Sequence, residues 1–257
     1  MRIGILVVAY NAEASLRNVI ERIPAEIMGK VEEIFVFDDA SRDSTHEVGH
    51  ALAQEFDGKI KFFRNEQNLM YGGNQQKGYK YAVERGLDIV VLLHGDGQYA
   101  PEIMQDLLTP LEAGDADMVM GSRMMVKGAA LRGNMPMYKY VGNKILTWTE
   151  NTLVGSRFTE FHSGYRAYSV HALKTVPLGQ MTSNWHFDTQ IILEFLKRGL
   201  RVEEVPIPTY YGDEICHVNG MLYAKNCVVE TAKYALKDRR RSRQNHGTLS
   251  PASRPEK

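Results

Sequence analysis

The amino-acid sequence predicts an α/β fold in which helices cover both faces of a mostly parallel central sheet. Short apolar runs rich in β-branched residues alternate with segments of helical periodicity along residues 1–122. Polar, glycine-containing segments follow several of these runs, at the strand ends where such sheets bind ligands. The 257 residues are 44% hydrophobic and 24% charged, a composition that supports a folded core.

The first half contains five predicted strands, each an apolar run of the length that crosses a sheet once. A segment with helical spacing separates each strand from the next, which is the order expected of a parallel sheet. The strands are 3–9, 31–37, 59–63, 88–93 and 117–120, and the helices are 13–23, 41–56, 73–85 and 101–113.

The second half is less regular. Pro206 and Pro208 interrupt a strand-like segment at 201–210, which indicates an edge strand. The polar and basic residues 237–257 are predicted to form a disordered tail. Helices are predicted at 136–154, 186–197 and 219–237, and mixed turn and strand signals occur at 160–169.

Composition excludes several classes of protein. The formal net charge is zero, which argues against nucleic acid as a partner. Two cysteines, Cys216 and Cys227, are too few and too widely spaced for a disulfide framework or a zinc knuckle. A reducing, cytoplasmic location is therefore expected. The first apolar run is too short for a signal peptide, and no run has the roughly 18 apolar residues of a membrane span.

The most informative segment is 94–98, where a buried strand ends in polar residues and glycines. His94, Asp96 and Gln98 bring an imidazole, a carboxylate and a carboxamide to one strand end. Hard oxygen ligands of this kind suit a Mg²⁺ or Mn²⁺ ion shared with a phosphate. The alternative is a polar turn in which Asp96 caps the next helix.

A second carboxylate pair follows the second strand. Asp38 and Asp39 repel each other unless each finds a partner, and a ribose diol or a base N–H would serve one of them. The alternative is that Ser41 or Asp43 caps the next helix.

Glycines and arginines at other strand ends indicate phosphate binding. Gly72 and Gly73 open a helix and could let backbone N–H groups approach a phosphate, or could only shape a loop. Arg123 and Arg166 could grip phosphate oxygens, or could form salt bridges with carboxylates of their own domain. Asp188 lies in the first turn of a predicted helix, either as a favourable end charge or as a catalytic base.

Eight such segments occur in one order, and in that order the chain resembles family 2 glycosyltransferases of the GT-A fold. Within the family it is most similar to polyprenol-phosphate sugar transferases of the dolichyl-phosphate mannose synthase type. The resemblance covers about residues 1–210. The segments are 9–13, 38–45, 68–73, 94–98, 121–123, 160–166, 187–190 and 204–207.

The resemblance implies one GT-A (nucleotide-diphospho-sugar transferase) domain over 1–236, with a nucleotide-sugar half of about 1–122 and an acceptor half of about 123–236. It also implies a Mg²⁺ or Mn²⁺ cofactor. The implied catalytic residues are Asp96, Arg123, Arg166 and Asp188, and the implied metal-binding residues are Asp96, Gln98 and His94. The implied substrate-binding residues are Ala9, Tyr10, Asn11, Glu13, Asp38, Asp39, Gly73, Gln76, Gly95, Ser163 and Gly164.

Three positions depart from the family pattern. His94 replaces the first carboxylate of the metal motif, and imidazole suits Mn²⁺ better than Mg²⁺. Met70 stands where glycine is usual. Gln190 stands where the family has an acidic residue and cannot act as a base, which leaves Asp188 as the candidate base.

The function expected from the resemblance is a metal-dependent, inverting transfer of a sugar from a nucleoside diphosphate sugar to an acceptor. A polyprenyl phosphate is favoured because a phosphate needs no general base, whereas a hydroxyl does. Two alternatives stay open, namely transfer to a saccharide hydroxyl in cell-wall or exopolysaccharide synthesis, and a nucleotide-sugar-binding protein without catalysis. A nucleotidyltransferase would carry a Gly-rich loop with Lys or Arg after the first strand, and the residues 9–11 found there argue against it.

Two segments near the carboxyl terminus suggest further contacts. The basic residues Lys237, Arg239, Arg240, Arg241 and Arg243 follow a helix with apolar positions and could rest on the anionic face of the cytoplasmic membrane. The alternative is a solvated helix end. Segment 210–220 combines aromatic residues, charges and two glycines, which would fit a lid over the sugar or the acceptor.

Overall fold

The structure is a computed structural model that describes residues 1–210 and 219–247, with the side chains of 237–247 left out. Strands and helices alternate through its first half, as the sequence predicts. The elements are β1 (Ile3–Ala9), α1 (Leu16–Glu21), α2 (Ala25–Lys30), β2 (Glu33–Asp38), α3 (Thr45–Glu55), β3 (Ile60–Arg64), α4 (Met70–Glu84), β4 (Ile89–His94), a 3₁₀ turn (Pro101–Ile103), α5 (Met104–Glu112) and β5 (Met118–Ser122).

The second half is mostly helical and contributes two strands. The predicted lid segment falls largely at 211–218, outside the described residues. The elements are α6 (Ala129–Arg132), α7 (Met137–Val154), β6 (Arg166–Ser169), α8 (Val170–Leu173), a 3₁₀ turn (Leu178–Gln180), α9 (Phe187–Lys197), β7 (Val202–Pro206) and α10 (Gly220–Gly247).

The seven strands form one sheet in the order β3-β2-β1-β4-β6-β5-β7. Every neighbouring pair is parallel except the two that involve β6, so the predicted mostly parallel sheet is confirmed. β7 lies at the sheet edge, as its prolines predict. Because β6 runs antiparallel, it begins beside the end of β4, with Arg166 paired to Leu92. The residues before β6 therefore reach the carboxyl edge of the parallel strands.

Helices pack on both faces of this sheet because alternate residues of each strand point to opposite sides. In β1, Ile5 and Val7 belong to a core layer shared with α1, α3 and α5. Leu6 faces the other layer, which includes buried residues of α4 and α9. Ile5, Leu6 and Val7 are fully buried, and each aliphatic side chain of this kind contributes about 1.5–3 kcal/mol of hydrophobic stabilisation.

Helix α10 is longer than the sequence pattern indicates. It continues to Gly247, so residues 237–247, which the sequence assigns to a tail, are helical. Lysine, arginine and glutamine are good helix formers, and a helix already started can extend through them. Residues 248–257 lie outside the described part of the chain. No helix within 1–210 or 219–247 is long and apolar enough to cross a lipid bilayer.

Candidate active site

The candidate site lies at the carboxyl edge of the sheet, where β1, β2 and β4 end together. Ala9 pairs with Asp38 and Val8 pairs with His94, so the three strand ends are nearly level. The antiparallel β6 delivers residues 160–165 to the same edge. The sheet register therefore collects most of the polar segments that the sequence singles out.

The loop after β4 presents Asp96 to solvent on a fixed turn. Oδ1 of Asp96 accepts the backbone N–H of Gln98 at 3.0 Å. Gly95 donates its N–H to the carbonyl of Val8 at 2.9 Å and accepts the hydroxyl of Ser15 at 2.7 Å. Asp96 itself is exposed. The turn thus holds an accessible carboxylate at the site.

Asp96 does not cap the helix that follows. The 3₁₀ turn begins after Ala100, and no side chain caps its first turn. The carboxylate of Asp96 and the carboxamide of Gln98 provide hard oxygen donors on one exposed loop, which fits a Mg²⁺ or Mn²⁺ ion. The oxygen donors of Asp96 and Gln98 therefore suit the Mg²⁺ or Mn²⁺ ion that the sequence predicts.

His94 is held inside the site by aromatic rings. Its imidazole packs edge-on against Tyr71 and Tyr99, with ring centroids 5.7 and 5.0 Å away. Nε2 is buried and has no hydrogen-bond partner among the described residues. Burial lowers the pKa of His94 even though Asp96 acts to raise it, so the ring is neutral near pH 7. A Cβ on Gly164 would lie 2.8 Å from Nε2, so only glycine fits there.

Tyr71 links this part of the site to Asp188. Its hydroxyl donates to Oδ2 of Asp188 at 2.7 Å. Burial and the Asp188 carboxylate raise the pKa of Tyr71 well above its usual range, so the phenol keeps its proton. Trp185 stacks on the same ring at 4.6 Å and is partly exposed. The sequence patterns did not identify Tyr71 or Trp185 as candidate site residues. Aromatic residues within polar segments could have indicated them.

Arg166 is fully buried and binds its own chain. Its guanidinium donates to the carbonyls of Ser163, Asp188 and Phe161 at 2.8, 2.8 and 2.9 Å. Nη1 also lies 3.6 Å from Oδ1 of Asp188. Burial alone would lower the pKa of Arg166, but Asp188 raises it, and the group stays charged. This placement differs from the phosphate contact that we expect from the sequence, because the guanidinium is fully buried and bound to its own chain.

Arg123 forms the salt bridge that the sequence leaves open as its alternative role. Its backbone N–H and its guanidinium both donate to the buried carboxylate of Glu160, with Nε 3.0 Å from Oε1. Asn143 donates to the same carboxylate at 2.8 Å. Burial acts to raise the pKa of Glu160, but the Arg123 charge outweighs it and the pKa is lowered. Arg123 remains partly exposed, with 13% of its side-chain surface accessible.

The two carboxylates after β2 have different environments. Asp38 is fully buried, where Oδ1 accepts the Ser41 N–H at 3.1 Å and Oδ2 lies 3.5 Å from Nε of Arg64. Asp39 is 4% exposed, and its Oδ1 accepts the side chain of Asn65 at 2.9 Å and the N–H of Leu69 at 2.7 Å. Burial raises the pKa of Asp39. Both carboxylates therefore have partners in the surrounding loops, and Asp39 is the less buried of the two.

Asn11 and Glu13 join the loops after β1 and β2. Oδ1 of Asn11 accepts the N–H of Arg42 at 2.9 Å, and Oε2 of Glu13 accepts the N–H of Ser44 at 2.9 Å. Asp43 accepts the N–H of Thr45 at 3.1 Å, but the N-cap residue of α3 is Ser44 and no side chain caps this helix. Both expected ligand residues thus have loop-to-loop partners. Of the other two expected residues here, Ala9 is buried and Tyr10 is 44% exposed.

The paired glycines of α4 allow its backbone to lie close to the backbone of residues 182–183. Gly72 and Gly73 donate their N–H groups to the carbonyl of Ser183 at 2.7 and 3.3 Å. A Cβ on Gly72 would lie 2.6 Å from the carbonyl oxygen of Thr182. Gln76 donates to that same carbonyl at 2.9 Å. The amides expected to bind phosphate, together with Gln76, therefore shape a loop.

Left-handed backbone occurs at non-glycine residues after each of the first three strands. Asn11, Ala40 and Met70 have φ values of 51°, 57° and 67°. Asparagine tolerates this conformation, whereas alanine and methionine there cost about 1–2 kcal/mol. The loops around the site therefore hold local strain at two positions.

Ala40→Gly is expected to stabilise the protein by about 1 kcal/mol, since glycine adopts positive φ without a Cβ clash. The matched control is Ala51→Gly in the exposed part of α3, where the same change costs about 1 kcal/mol of helix propensity. Chemical denaturation of both variants measures the two effects. Destabilisation by both substitutions would show that Ala40 is unstrained.

Comparison with known proteins agrees with this geometry. Residues 4–176 match the glycosyl transferase family 2 profile. The chain is 30% identical over 220 residues to a UDP-N-acetylglucosamine–dolichyl-phosphate N-acetylglucosaminyltransferase of Methanococcus voltae, covering 81% of this chain and 86% of the relative. It is 28% identical over 212 residues to an undecaprenyl-phosphate mannosyltransferase of Micrococcus luteus, covering 80% and 83%.

A solved structure shows the same fold. Glucosyl-3-phosphoglycerate synthase of Mycobacterium tuberculosis, crystallised with Mn²⁺, uridine diphosphate and phosphoglyceric acid, superposes with a TM-score of 0.67. The identity is 17%, and the match covers 91% of this chain and 78% of the other.

The sheet order and the likeness to the solved structure define the GT-A fold that the sequence predicts, and the profile match identifies a glycosyltransferase. The chain belongs to glycosyl transferase family 2.

Proposed function

We propose that this enzyme transfers a sugar from a nucleoside diphosphate sugar to a polyprenyl phosphate, with inversion at the sugar carbon. The observation that carries the proposal is the exposed Asp96 carboxylate at the sheet edge, within a family whose similar members are named for lipid-phosphate acceptors. Asp96 and Gln98 would hold a Mg²⁺ or Mn²⁺ ion, and Asp39 the nucleoside. The bound ion would neutralise negative charge on the leaving diphosphate.

In the reaction, an oxygen of the acceptor phosphate forms a bond to the anomeric carbon of the sugar. The bond from that carbon to the diphosphate breaks, and the nucleoside diphosphate leaves with the electron pair. His94 is a candidate third ligand, and its neutral ring suits that role. Arg123, partly exposed beside Glu160, would add positive charge near the departing diphosphate.

The environment of Asp188 supports a phosphate acceptor. Asp188 is 4% exposed and is engaged by Tyr71 and Arg166, so it is poorly placed to take a proton from a hydroxyl. Gln190 accepts the N–H of Thr182 at 2.8 Å and has no basic group. A phosphate acceptor carries its own negative charge and needs neither residue as a base.

The test uses purified full-length protein, Mn²⁺ and a panel of radiolabelled nucleotide sugars, with undecaprenyl phosphate, dolichyl phosphate or oligosaccharides as acceptors. We expect label in an organic-soluble product and inversion at the anomeric carbon. Label only in oligosaccharides would favour the saccharide-hydroxyl acceptor. Donor binding without any released nucleoside diphosphate would identify a binding protein without catalysis.

We also propose that the enzyme rests on an anionic membrane surface, where such an acceptor resides. The exposed face of α7 carries apolar residues at helical spacing, and the sequence of α10 continues into the basic residues 237–243. Exposed apolar residues of α7 are Met137, Tyr138, Val141, Ile145 and Trp148, and those of α10 are Met221, Leu222, Val229 and Leu236.

Trp148 can report this contact because it is 69% exposed and the chain has two tryptophans. In a Trp185→Phe background, we expect phosphatidylglycerol vesicles to shift Trp148 emission to shorter wavelength and to sediment the protein. Phosphatidylcholine vesicles serve as the uncharged control. Equal binding to both kinds of vesicle would contradict a role for the basic residues in membrane binding. No binding to either kind would contradict the proposal.

A further inference from the structure

Three metal-competent side chains meet behind the candidate active site and are not used by the proposed reaction. Glu150 comes from α7, His162 from the segment before β6, and Cys227 from α10. One ligand atom of each lies within 4.8 Å of the others. Glu150 and Cys227 are fully buried, and 7% of the His162 side chain is accessible. The cluster joins three elements that are far apart in the chain.

The inward-facing atoms of this cluster are poorly satisfied by the protein alone. Nε2 of His162 lies 3.0 Å from Oε2 of Glu150. Both atoms are buried, and apart from this ion pair neither has a hydrogen-bond partner among the described residues. Buried polar atoms of this kind are uncommon and call for an explanation, such as an ion.

Outer partners orient all three groups. Nδ1 of His162 lies 3.0 Å from the hydroxyl of Tyr223. The Thr189 hydroxyl lies 3.3 Å from Oε1 of Glu150 and 3.3 Å from Sγ of Cys227. Metal-bound histidine usually has a hydrogen-bond partner at its other ring nitrogen, and bound carboxylates have partners too. The arrangement therefore leaves Nε2, Oε2 and Sγ facing one another.

The donor set favours zinc over the ion of the sugar-transfer site. Thiolate and imidazole suit Zn²⁺, whereas Mg²⁺ prefers oxygen ligands. Ligand atoms around tetrahedral zinc are about 3.3–3.6 Å apart, from bond lengths of about 2.0–2.3 Å. The present spacing of up to 4.8 Å therefore needs only a small side-chain adjustment.

We propose that Glu150, His162 and Cys227 form a second metal site that binds Zn²⁺ and ties α10 to α7 and to the segment before β6. The competing explanation is an ion pair without metal. Burial would lower the pKa of His162, but Glu150 raises it to about 10, so in the metal-free protein the imidazole would carry a proton. Zinc would take the place of this ion pair, because a metal-bound imidazole is in its neutral form.

The first test needs no variant. Full-length protein is dialysed against chelator and titrated with Co²⁺, which reports thiolate ligation through a near-ultraviolet charge-transfer band. We expect one equivalent of Co²⁺ to produce the band, Zn²⁺ to displace it, and Zn²⁺ to raise the melting temperature. A titration without the band, or a melting temperature unchanged by Zn²⁺, would overturn the proposal.

Variants separate this site from other metal binding. Cys227→Ser should abolish the band, whereas Cys216→Ser, at the other cysteine, should keep it. Tyr223→Phe should weaken zinc binding about 10–100-fold by removing the partner of His162. Asp96→Ala should leave the band unchanged, since Asp96 belongs to the sugar-transfer site. A band that survives Cys227→Ser would place the cobalt elsewhere.

Discussion

Asp96→Asn is expected to lower kcat/KM about 10³-fold. A bound divalent ion contributes several kcal/mol of charge stabilisation at the leaving diphosphate, and each 1.36 kcal/mol is a factor of ten. Asparagine keeps an oxygen to accept the Gln98 N–H, so the turn should survive while the negative ligand is lost. Release of nucleoside diphosphate, at a Mn²⁺ concentration that just saturates the unsubstituted enzyme, measures the effect.

The matched control is Asp106→Asn, an exposed carboxylate in the first turn of α5. It changes the same charge outside the site and should leave kcat/KM within twofold, since exposed charges act weakly. Raising the Mn²⁺ concentration should partly restore Asp96→Asn and leave the control unaffected. Wild-type turnover in Asp96→Asn would remove Asp96 from the metal site.

Arg166→Lys is expected to destabilise the protein by about 3 kcal/mol. The planar, buried guanidinium donates hydrogen bonds to three carbonyls in different directions. A lysine ammonium cannot reproduce that geometry. Each hydrogen bond to a charged group contributes about 1.5–3 kcal/mol, and carbonyls left unpaired in the core add to the loss. Chemical denaturation measures the change.

Arg17→Lys is the control, because Arg17 forms its ion pairs at 41% side-chain exposure and should cost less than 1 kcal/mol. Nucleotide affinity separates the two possible roles of Arg166. If it positions Asp188 and residues 161–163, the folded variant should bind nucleoside diphosphate normally. Unchanged stability with a large loss of affinity would instead restore the phosphate contact that the sequence suggests.

The sequence predicted the strands and helices of the fold well because these elements depend on patterns among neighbouring residues. The apolar run at 3–9 and the helical spacing at 136–154 depend on neighbouring residues, and both elements form within one residue of those bounds. The prolines of 201–210 likewise predict an edge strand from backbone chemistry alone. Helix α10 passes the predicted end because a polar sequence with good helix formers does not show where a helix ends.

The roles of individual site residues were harder to predict from the sequence, because they depend on partners far away in the chain. Tyr71 donates to a carboxylate 117 residues further on, and Gly72 meets a carbonyl near residue 183. A guanidinium near acidic segments looks the same in sequence whether it binds phosphate or fills the core. Arg123 and Arg166 differ only in burial and partners, which a linear pattern does not contain.

The sequence by itself therefore determined the α/β sheet and the strand ends where the candidate site lies, including the polar turn that contains Asp96. These follow from periodicity and from residue types next to one another. Only the tertiary structure showed that Arg166 is fully buried against backbone carbonyls, that Gly73 donates to Ser183, and that Tyr71 packs against both His94 and Trp185. It also brought Glu150, His162 and Cys227 together. The physical reason is that burial and hydrogen-bond partners come from packing between distant segments, and packing sets which polar groups a ligand can reach.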